Sequence, residues 1–322
     1  MSEQLHILIM NNSMFSINEY YKQQILQIAP GAKLMIAEAK ETTKELIRQA
    51  DIIYGWPEVQ YLKEAENLKW LHMPSAGVEG YTSKAGYYNK DIILTNSSGV
   101  FGLPIAEHVF AMILSYNRNL QEYSYNKAEK KWKDISKTRD FYGSTIGIIG
   151  LGDIGTEVAK RAKAWGANVL AVKRTVTEVP EYIDKFYSLE DIDEVLVQSD
   201  YVLLALPITQ KTQGIMNEER LKIMKPHAFL VNIGRGALID QEALIKALQE
   251  NWIGGAGLDV TTPEPLPQDS PLWDLPNVIL TPHISGSSPT NLARRFDMFN
   301  RNLKLFLENK PLENLVDFTE GY

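Results

Sequence analysis

The chain has 322 residues, of which 44% are hydrophobic and 10% aromatic, enough to build the cores of two ordinary globular domains. Its net charge of −7 argues against a nucleic-acid or anionic-membrane surface, and with no cysteine it has no disulfide, thiolate nucleophile or cysteine metal site. The opening Met1-Ser-Glu-Gln carries no basic region and the apolar run 5–10 is too short for a signal or membrane segment, so a cytoplasmic protein is expected.

Taken in order, residues 5–10 read as a strand, 17–28 as a helix closed by Pro30-Gly31, 33–37 as a strand, 42–50 as a helix, and 51–54 and 70–73 as strands. Strand and helix alternate as in a small parallel α/β domain. Gly55-Trp56-Pro57 and Ser75-Ala76-Gly77-Val78 follow two of these strands, where open α/β sheets place their ligands. A long helix is predicted over 104–120, with Ile105, Val109, Phe110, Ile113 and Leu114 on one face. The charged segment 126–134 reads as a solvated helix face.

Residues 145–155 are the most informative stretch. A short apolar run is followed by Gly150, Gly152 and Gly155 in the pattern Gly-x-Gly-x-x-Gly, and then by an amphipathic helix. Strand, tight turn and helix in that order suit a dinucleotide: the first glycine permits the turn, the second lets backbone approach a pyrophosphate, and the third lets helix and strand pack closely. The diphosphate would sit on the free amides of the helix beginning near Asp153. Residues 168–172 supply the next strand, and Lys173, Arg174 and Thr175 follow it where an acidic residue would select NAD. A basic pair there attracts a ribose 2′-phosphate, which favours NADP(H) and leaves NAD(H) possible.

Beyond this point strands are predicted at 201–205, 228–233, 255–260 and 278–280, helices at 217–223 and 241–249, and a last long helix at 289–308. The short tail would return to the first domain. The expected fold is α/β, with two doubly wound parallel-sheet domains and a cleft between them. Residues 1–99 with 288–322 form a flavodoxin-like substrate domain, and 100–287 a Rossmann cofactor domain.

Three polar residues follow predicted strands of the second domain: Arg235, Glu264 and His283. Each alone has a structural reading as a surface charge, a turn residue or a strand-end histidine. Parallel strands bring their carboxyl ends together, however, and the three types suit reduction of a 2-oxo acid. Arg235 offers a fork of donors for carboxylate and carbonyl. His283 would give the carbonyl oxygen its proton, and Glu264 beside it would stabilise the imidazolium. His72, His108 and His227 show no such convergence and read as packing or surface residues.

These motifs resemble the D-isomer-specific 2-hydroxyacid dehydrogenases over most of the chain. The resemblance is carried by Leu206-Pro-Ile-Thr209, Thr212, Met224-Lys-Pro226, Asn232-x-Gly-Arg-Gly236, Gly257-Leu-Asp-Val260, Glu264-Pro265 and Thr281-Pro-His283. It implies that Arg235, Glu264 and His283 are the substrate arginine, the acidic partner of the histidine and the proton donor. It also implies that Asp153 and Ile154 touch the phosphates, that Leu206, Pro207 and Thr212 border the adenosine, and that Ile233, Gly234, Asp259 and Gly286 lie on the cofactor side, Ile233 and Asp259 at the nicotinamide. The loop Ser75, Ala76, Gly77, Val78 resembles the family's substrate-carboxylate loop, and its sequence is nearer to glyoxylate and hydroxypyruvate reductases than to lactate or phosphoglycerate enzymes. The start of the helix at Pro104-Ile-Ala-Glu-His108 resembles the family's interdomain helix, which implies a homodimer. Departures are Lys173-Arg174 in place of a frequent acidic residue, His227 in place of glycine and Thr261 in place of an aromatic. An NAD-linked D-2-hydroxyacid dehydrogenase and a nucleotide-sensing corepressor of the same fold are the alternative readings, and formate oxidation is disfavoured because it needs no acid–base pair.

Overall fold

The computed structural model describes residues 4–12, 15–173, 179–319 and 321. Its contacts divide the chain into two compact units, Met1–Val100 with Ser287–Tyr322, and Phe101–Gly286.

The first unit contains β1 (His6–Asn11), α1 (Glu19–Ile28), β2 (Lys33–Glu38), α2 (Lys44–Gln49), β3 (Ile52–Tyr54), β4 (Trp70–Met73) and β5 (Ile93–Asn96). The strands form a parallel sheet in the order β2-β1-β3-β4-β5, the flavodoxin-like order, among the described residues. Asn18 and Thr43 start the helices by accepting hydrogen bonds from the amides of Tyr21 and Leu46, which satisfies donors that have no carbonyl behind them. The C-terminal helix, Pro289–Leu307, lays Phe296, Phe299 and Leu303 on the sheet side that Ile7, Ile9, Tyr54 and Trp70 occupy. The tail then returns to β5, where Val316 donates its amide to the Leu94 carbonyl.

Strand β5 is not foreseen from the sequence, because four residues without alternating polarity carry no period. Its partner decides it: Trp70 pairs with Ile93 and His72 with Thr95. That register builds a buried polar chain. Trp70 Nε1 donates to Thr95 Oγ1 at 2.8 Å, and Thr95 Oγ1 lies 2.7 Å from His72 Nδ1. Ser97 Oγ gives its one proton to the Met73 carbonyl at 3.0 Å, so towards His72 Nε2, 3.3 Å away, it can only accept. The proton of neutral His72 is therefore on Nε2, and Nδ1 accepts from the Thr95 hydroxyl. His72 is thus a packing residue, as expected, and a neutral one.

Burial pushes the His72 pKa down from 6.5 to about 3. Below pH 6.5 the unfolded chain takes up a proton here that the folded chain refuses until near pH 3. Stability is therefore present above pH 6.5 and lost on acidification, by about 1.4 kcal/mol per pH unit at most. Urea unfolding at pH 7.5 and pH 5 is expected to show this loss in the wild type and a smaller one in His72→Gln. Equal pH slopes in the two proteins would refute the assignment.

The second unit begins with α3 (Gly102–Asn117) and α4 (Leu120–Ala128). The single helix predicted to reach residue 120 instead stops at Asn117, because Asn119 takes a left-handed conformation with φ 52°. The charged segment 126–134 is mostly not helical: α4 ends at Ala128, and Lys130 also has a positive φ, 56°.

There follow β6 (Thr145–Ile149), α5 (Asp153–Ala164), β7 (Asn168–Val172), β8 (Lys185–Tyr187), α6 (Ile192–Gln198), β9 (Tyr201–Leu204), α7 (Glu218–Ile223), β10 (Phe229–Asn232), α8 (Gln241–Gln249), β11 (Gly255–Leu258) and β12 (Val278–Leu280). The parallel sheet runs β12-β11-β10-β9-β6-β7-β8 among the described residues, a Rossmann order extended by one strand. Strand β8 and helix α6 are not foreseen from the sequence. Strand order reverses between β6 and β9, so the glycine turn after β6 lies at the switch point where such sheets bind ligands. Its apolar cores lie on both faces, which is why the strands read as continuous hydrophobic runs.

Candidate active site

The turn between β6 and α5 has the geometry its glycines predict. Gly150 has φ 108°, a backbone that side-chain-bearing residues rarely adopt. A Cβ on Gly155 would strike the Gly150 carbonyl, so helix and strand touch there. Gly152 differs: a Cβ there would meet no protein atom within 4 Å. Protein packing alone does not demand that glycine, and the space it leaves adjoins the first turn of α5. Among the described residues no side chain caps that turn, and the amides of Asp153 and Ile154 have neither carbonyl nor cap. Open space beside unengaged donors at a helix N-terminus fits a dinucleotide pyrophosphate. The Asp153 carboxylate is engaged elsewhere, accepting from the Gly102 amide at 2.7 Å, and so it joins α5 to the start of α3.

The other described residues predicted for the cofactor lie along the same carboxyl edge. Lys173 follows β7 and is exposed, with its amide donating to the Tyr187 carbonyl. Arg174 and Thr175 lie outside the described residues. Leu206 and Pro207 follow β9, and buried Thr212 holds their loop by donating to the Pro207 carbonyl at 2.7 Å and accepting from the Thr209 amide at 2.8 Å. Ile233 and Gly234 follow β10, and a Cβ on Gly234 would press on the Leu206 carbonyl. Gly286 closes the loop after β12 against Phe101.

Arg235, Glu264 and His283 follow β10, β11 and β12, three adjacent strands of one sheet. Asn232, fully buried at the end of β10, shapes the turn that presents Arg235: its Oδ1 accepts from the Gly234 amide and its Nδ2 donates to the Arg235 carbonyl. Arg235 Nη1 also donates to the Gly234 carbonyl at 2.8 Å. A Cβ on the next residue, Gly236, would collide with the Thr261 carbonyl, so the arginine loop packs against the loop leading to Glu264.

His283 Nδ1 and Glu264 Oε2 are 2.9 Å apart, and the other oxygen of Glu264 accepts from the Thr261 amide at 3.1 Å. Since a carboxylate only accepts, Nδ1 carries the proton in this bond. Nε2 is then the nitrogen left for substrate, and the histidine side chain is 53% exposed. The backbone of His283 is left-handed, with φ 52°, a conformation that needs support in a residue other than glycine.

Asp259 gives that support. Its carbonyl accepts the His283 amide at 2.8 Å, while its carboxylate accepts from Thr281 Oγ1 at 2.6 Å and from the amides of Ile284 and Ser285. Burial works to raise the Asp259 pKa, but the bonds from Ser285, Thr281 and Ile284 outweigh it and the net shift is downward. The side chain that the resemblance places at the nicotinamide is thus 1% exposed and organises the histidine loop. His108 of α3 joins from behind, its Nε2 3.0 Å from Thr281 Oγ1. His108 and Thr281 are 173 positions apart, and no local signal in the sequence links them. His227, also set aside, lies 2.8 Å from the Asp200 carboxylate on the opposite, amino edge of the sheet.

In the first unit, the loop Pro74–Val78 follows β4, with Ala76 exposed and Val78 buried. Trp56 Nε1 donates to Ser75 Oγ at 3.2 Å, so the two strand-end loops seen in the sequence touch one another.

The family model described as D-isomer specific 2-hydroxyacid dehydrogenase, NAD binding domain, matches residues 110–285. A glyoxylate reductase of Korarchaeum cryptofilum is 34% identical over 298 residues, covering 89% of this chain and 86% of that one. A solved D-isomer specific 2-hydroxyacid dehydrogenase family protein from Aeromonas salmonicida matches with a TM-score of 0.86 at 32% identity, over 98% of this chain and all of that one. An NADPH-dependent glyoxylate/hydroxypyruvate reductase from Sinorhizobium meliloti, solved with NADP and sulfate, matches with a TM-score of 0.83 at 26% identity, over 99% and 100% of the two chains. The chain belongs to the D-isomer-specific 2-hydroxyacid dehydrogenase family. It is an oxidoreductase of 2-oxo and 2-hydroxy acids that uses a nicotinamide cofactor. Among the described residues, no helix is long and apolar enough to cross a membrane.

Proposed function

We propose that this protein is a cytoplasmic, homodimeric reductase of small 2-oxo acids of the glyoxylate and hydroxypyruvate type, with NADPH as its preferred reductant. The observation that carries the reading is the 2.9 Å contact of His283 with Glu264 on the strand next to the one that presents Arg235. In this reading residues 100–287 hold the cofactor, and residues 1–99 with 288–322 hold the acid. Gly150, Gly152, Gly155 and the amides of Asp153 and Ile154 cradle the pyrophosphate. Leu206, Pro207 and Thr212 border the adenosine, while Ile233, Gly234, Asp259 and Gly286 shape the nicotinamide end, Asp259 through the loop it organises.

Bound there, the reduced nicotinamide supplies a hydride to C2 of the oxo acid. Arg235 grips the carboxylate and the carbonyl oxygen with its fork of donors. As that oxygen gains negative charge, His283 passes it the Nε2 proton and completes the alcohol. Glu264 keeps the ring oriented and stabilises the charged imidazolium that precedes transfer. The amides of Ser75, Ala76, Gly77 and Val78 take the acid's carboxylate. The homodimer is supported by the exposed apolar side chains of Leu120, Tyr125, Trp132 and Tyr142.

The function is tested by following NADPH and NADH absorbance with a panel of 2-oxo acids. Turnover of glyoxylate or hydroxypyruvate is expected, and no consumption of either cofactor with any acid of the panel would favour a nucleotide-sensing role. NADPH preference rests on Lys173, Arg174 and Thr175 in place of an acidic residue. Lys173→Asp combined with Arg174→Ala is expected to lower the NADPH/NADH ratio of kcat/KM by about tenfold to a hundredfold, the effect of losing charge-assisted bonds to a phosphate. An unmoved ratio would refute the phosphate-site reading.

A further inference from the structure

The backbone of the loop Pro74–Val78 is held through its carbonyl oxygens. Arg295 Nη1 donates to Pro74 O at 3.4 Å, the Ser97 amide to Ser75 O at 2.9 Å, Asn96 Nδ2 to Ala76 O at 2.8 Å and Ser75 Oγ to Gly77 O at 2.7 Å. In a trans peptide the N–H points opposite to the C=O of the same unit. Fixing carbonyls 74 to 77 therefore fixes the directions of amides 75 to 78, and among the described residues none of these four amides donates a hydrogen bond. Successive unengaged amides are a site for an anion. They cannot be aimed unless something holds the other side of each peptide.

We propose that Asn96 is a positioning residue for recognition of the substrate carboxylate, acting through the Ala76 carbonyl alongside Arg295 at Pro74. The inference rests on the reading of Ser75 to Val78 as the carboxylate loop. The roles of Asn96 separate by atom. Its Oδ1 accepts from the Ser98 amide at 3.1 Å and its own amide donates to the carbonyl of Asn314 in the C-terminal tail at 3.2 Å, and neither bond involves the loop. Only Nδ2 reaches the loop. Asn96 is 7% exposed and Arg295 is equally buried on the C-terminal helix, so both hold the loop from the protein side. The buried guanidinium also places positive charge behind a loop that receives an anion.

The test uses the full-length protein with NADP bound, and oxalate as the probe anion. In the wild type the backbone amide resonances of Ser75 to Val78 are expected to shift on adding oxalate. In Asn96→Leu those shifts shrink, and KM for glyoxylate and Ki for oxalate rise together by about tenfold. The kcat at saturation, the NADPH Kd and the Tm stay near wild type. Asn96→Ala, which also removes the bond to the Ala76 carbonyl, is expected to give the same selective rise and serves if Asn96→Leu does not fold. Wild-type amides that ignore oxalate would overturn the carboxylate-loop reading and this inference with it. Amides that respond while KM and Ki stay unchanged in the variants would overturn the inference alone. A joint fall of Tm, kcat and NADPH affinity would mark Asn96 as merely structural, and also overturn it.

Discussion

His283→Ala is expected to lower kcat for 2-oxo acid reduction by about two to four orders of magnitude, the usual contribution of a placed general acid, while leaving NADPH affinity intact. The argument is geometric. Glu264 takes Nδ1 at 2.9 Å, so Nε2 is left as the donor for the carbonyl oxygen, and the side chain is 53% exposed to whatever binds beside it. Alanine leaves that oxygen to gain charge without a proton source. Because Asp259 sets the conformation of the His283 loop through the amides of Ile284 and Ser285, and the glycine turn follows a different strand, the dinucleotide site is expected to survive. Steady-state kcat measured beside a fluorescence titration with NADPH separates the two effects. An unchanged kcat would remove His283 from the mechanism.

For Arg235→Ala the expected loss in kcat/KM is about three orders of magnitude, shared between a higher KM and a lower kcat. Two charge-assisted bonds, each worth about 1.5–3 kcal/mol, are removed at once. One grips the carboxylate in ground and transition states alike and its loss appears in KM. The other follows the carbonyl oxygen as it becomes an alkoxide and its loss appears in kcat. Arg235→Lys is expected to recover little, since a single ammonium cannot span both oxygens as a planar guanidinium does. The Asn232 side chain ties the turn through the backbone at 234 and 235, so the fold is expected to tolerate both changes. A KM for glyoxylate that stays at the wild-type value in Arg235→Ala would place the substrate's grip elsewhere.

Burial accounts for most of what the sequence left unseen. The resemblance implies that Asp259 lies at the nicotinamide; what it leaves unseen is that its two oxygens accept from Thr281, Ile284 and Ser285, more than twenty positions away along the chain. His72 is the packing residue expected of it, but its place in a hydrogen-bonded chain between β4 and β5, like the contact of His108 with Thr281, joins residues far apart in the sequence. The overlong helix at 104–120 failed for a different reason. Its apolar face continues past Asn117, and only the left-handed turn at Asn119 redirects the chain.

What the amino-acid order determined by itself was everything that local physics dictates. The glycine turn of 150–155, the caps Asn18, Thr43, Asn217, Asp240 and Ser288, and the apolar runs that become strands all follow from backbone conformational limits and short-range hydrogen bonding. Chemistry-bearing residues at strand ends were legible for the same reason, since a parallel sheet sends all its carboxyl ends to one edge. Tertiary structure alone decided which of those residues touch, as with His283 and Glu264, and which polar groups hold the loops from behind, as with Asn96 and Asp259. Such contacts depend on strand register and on distances across the sheet, quantities that arise only once separate segments pack and no window of sequence contains them.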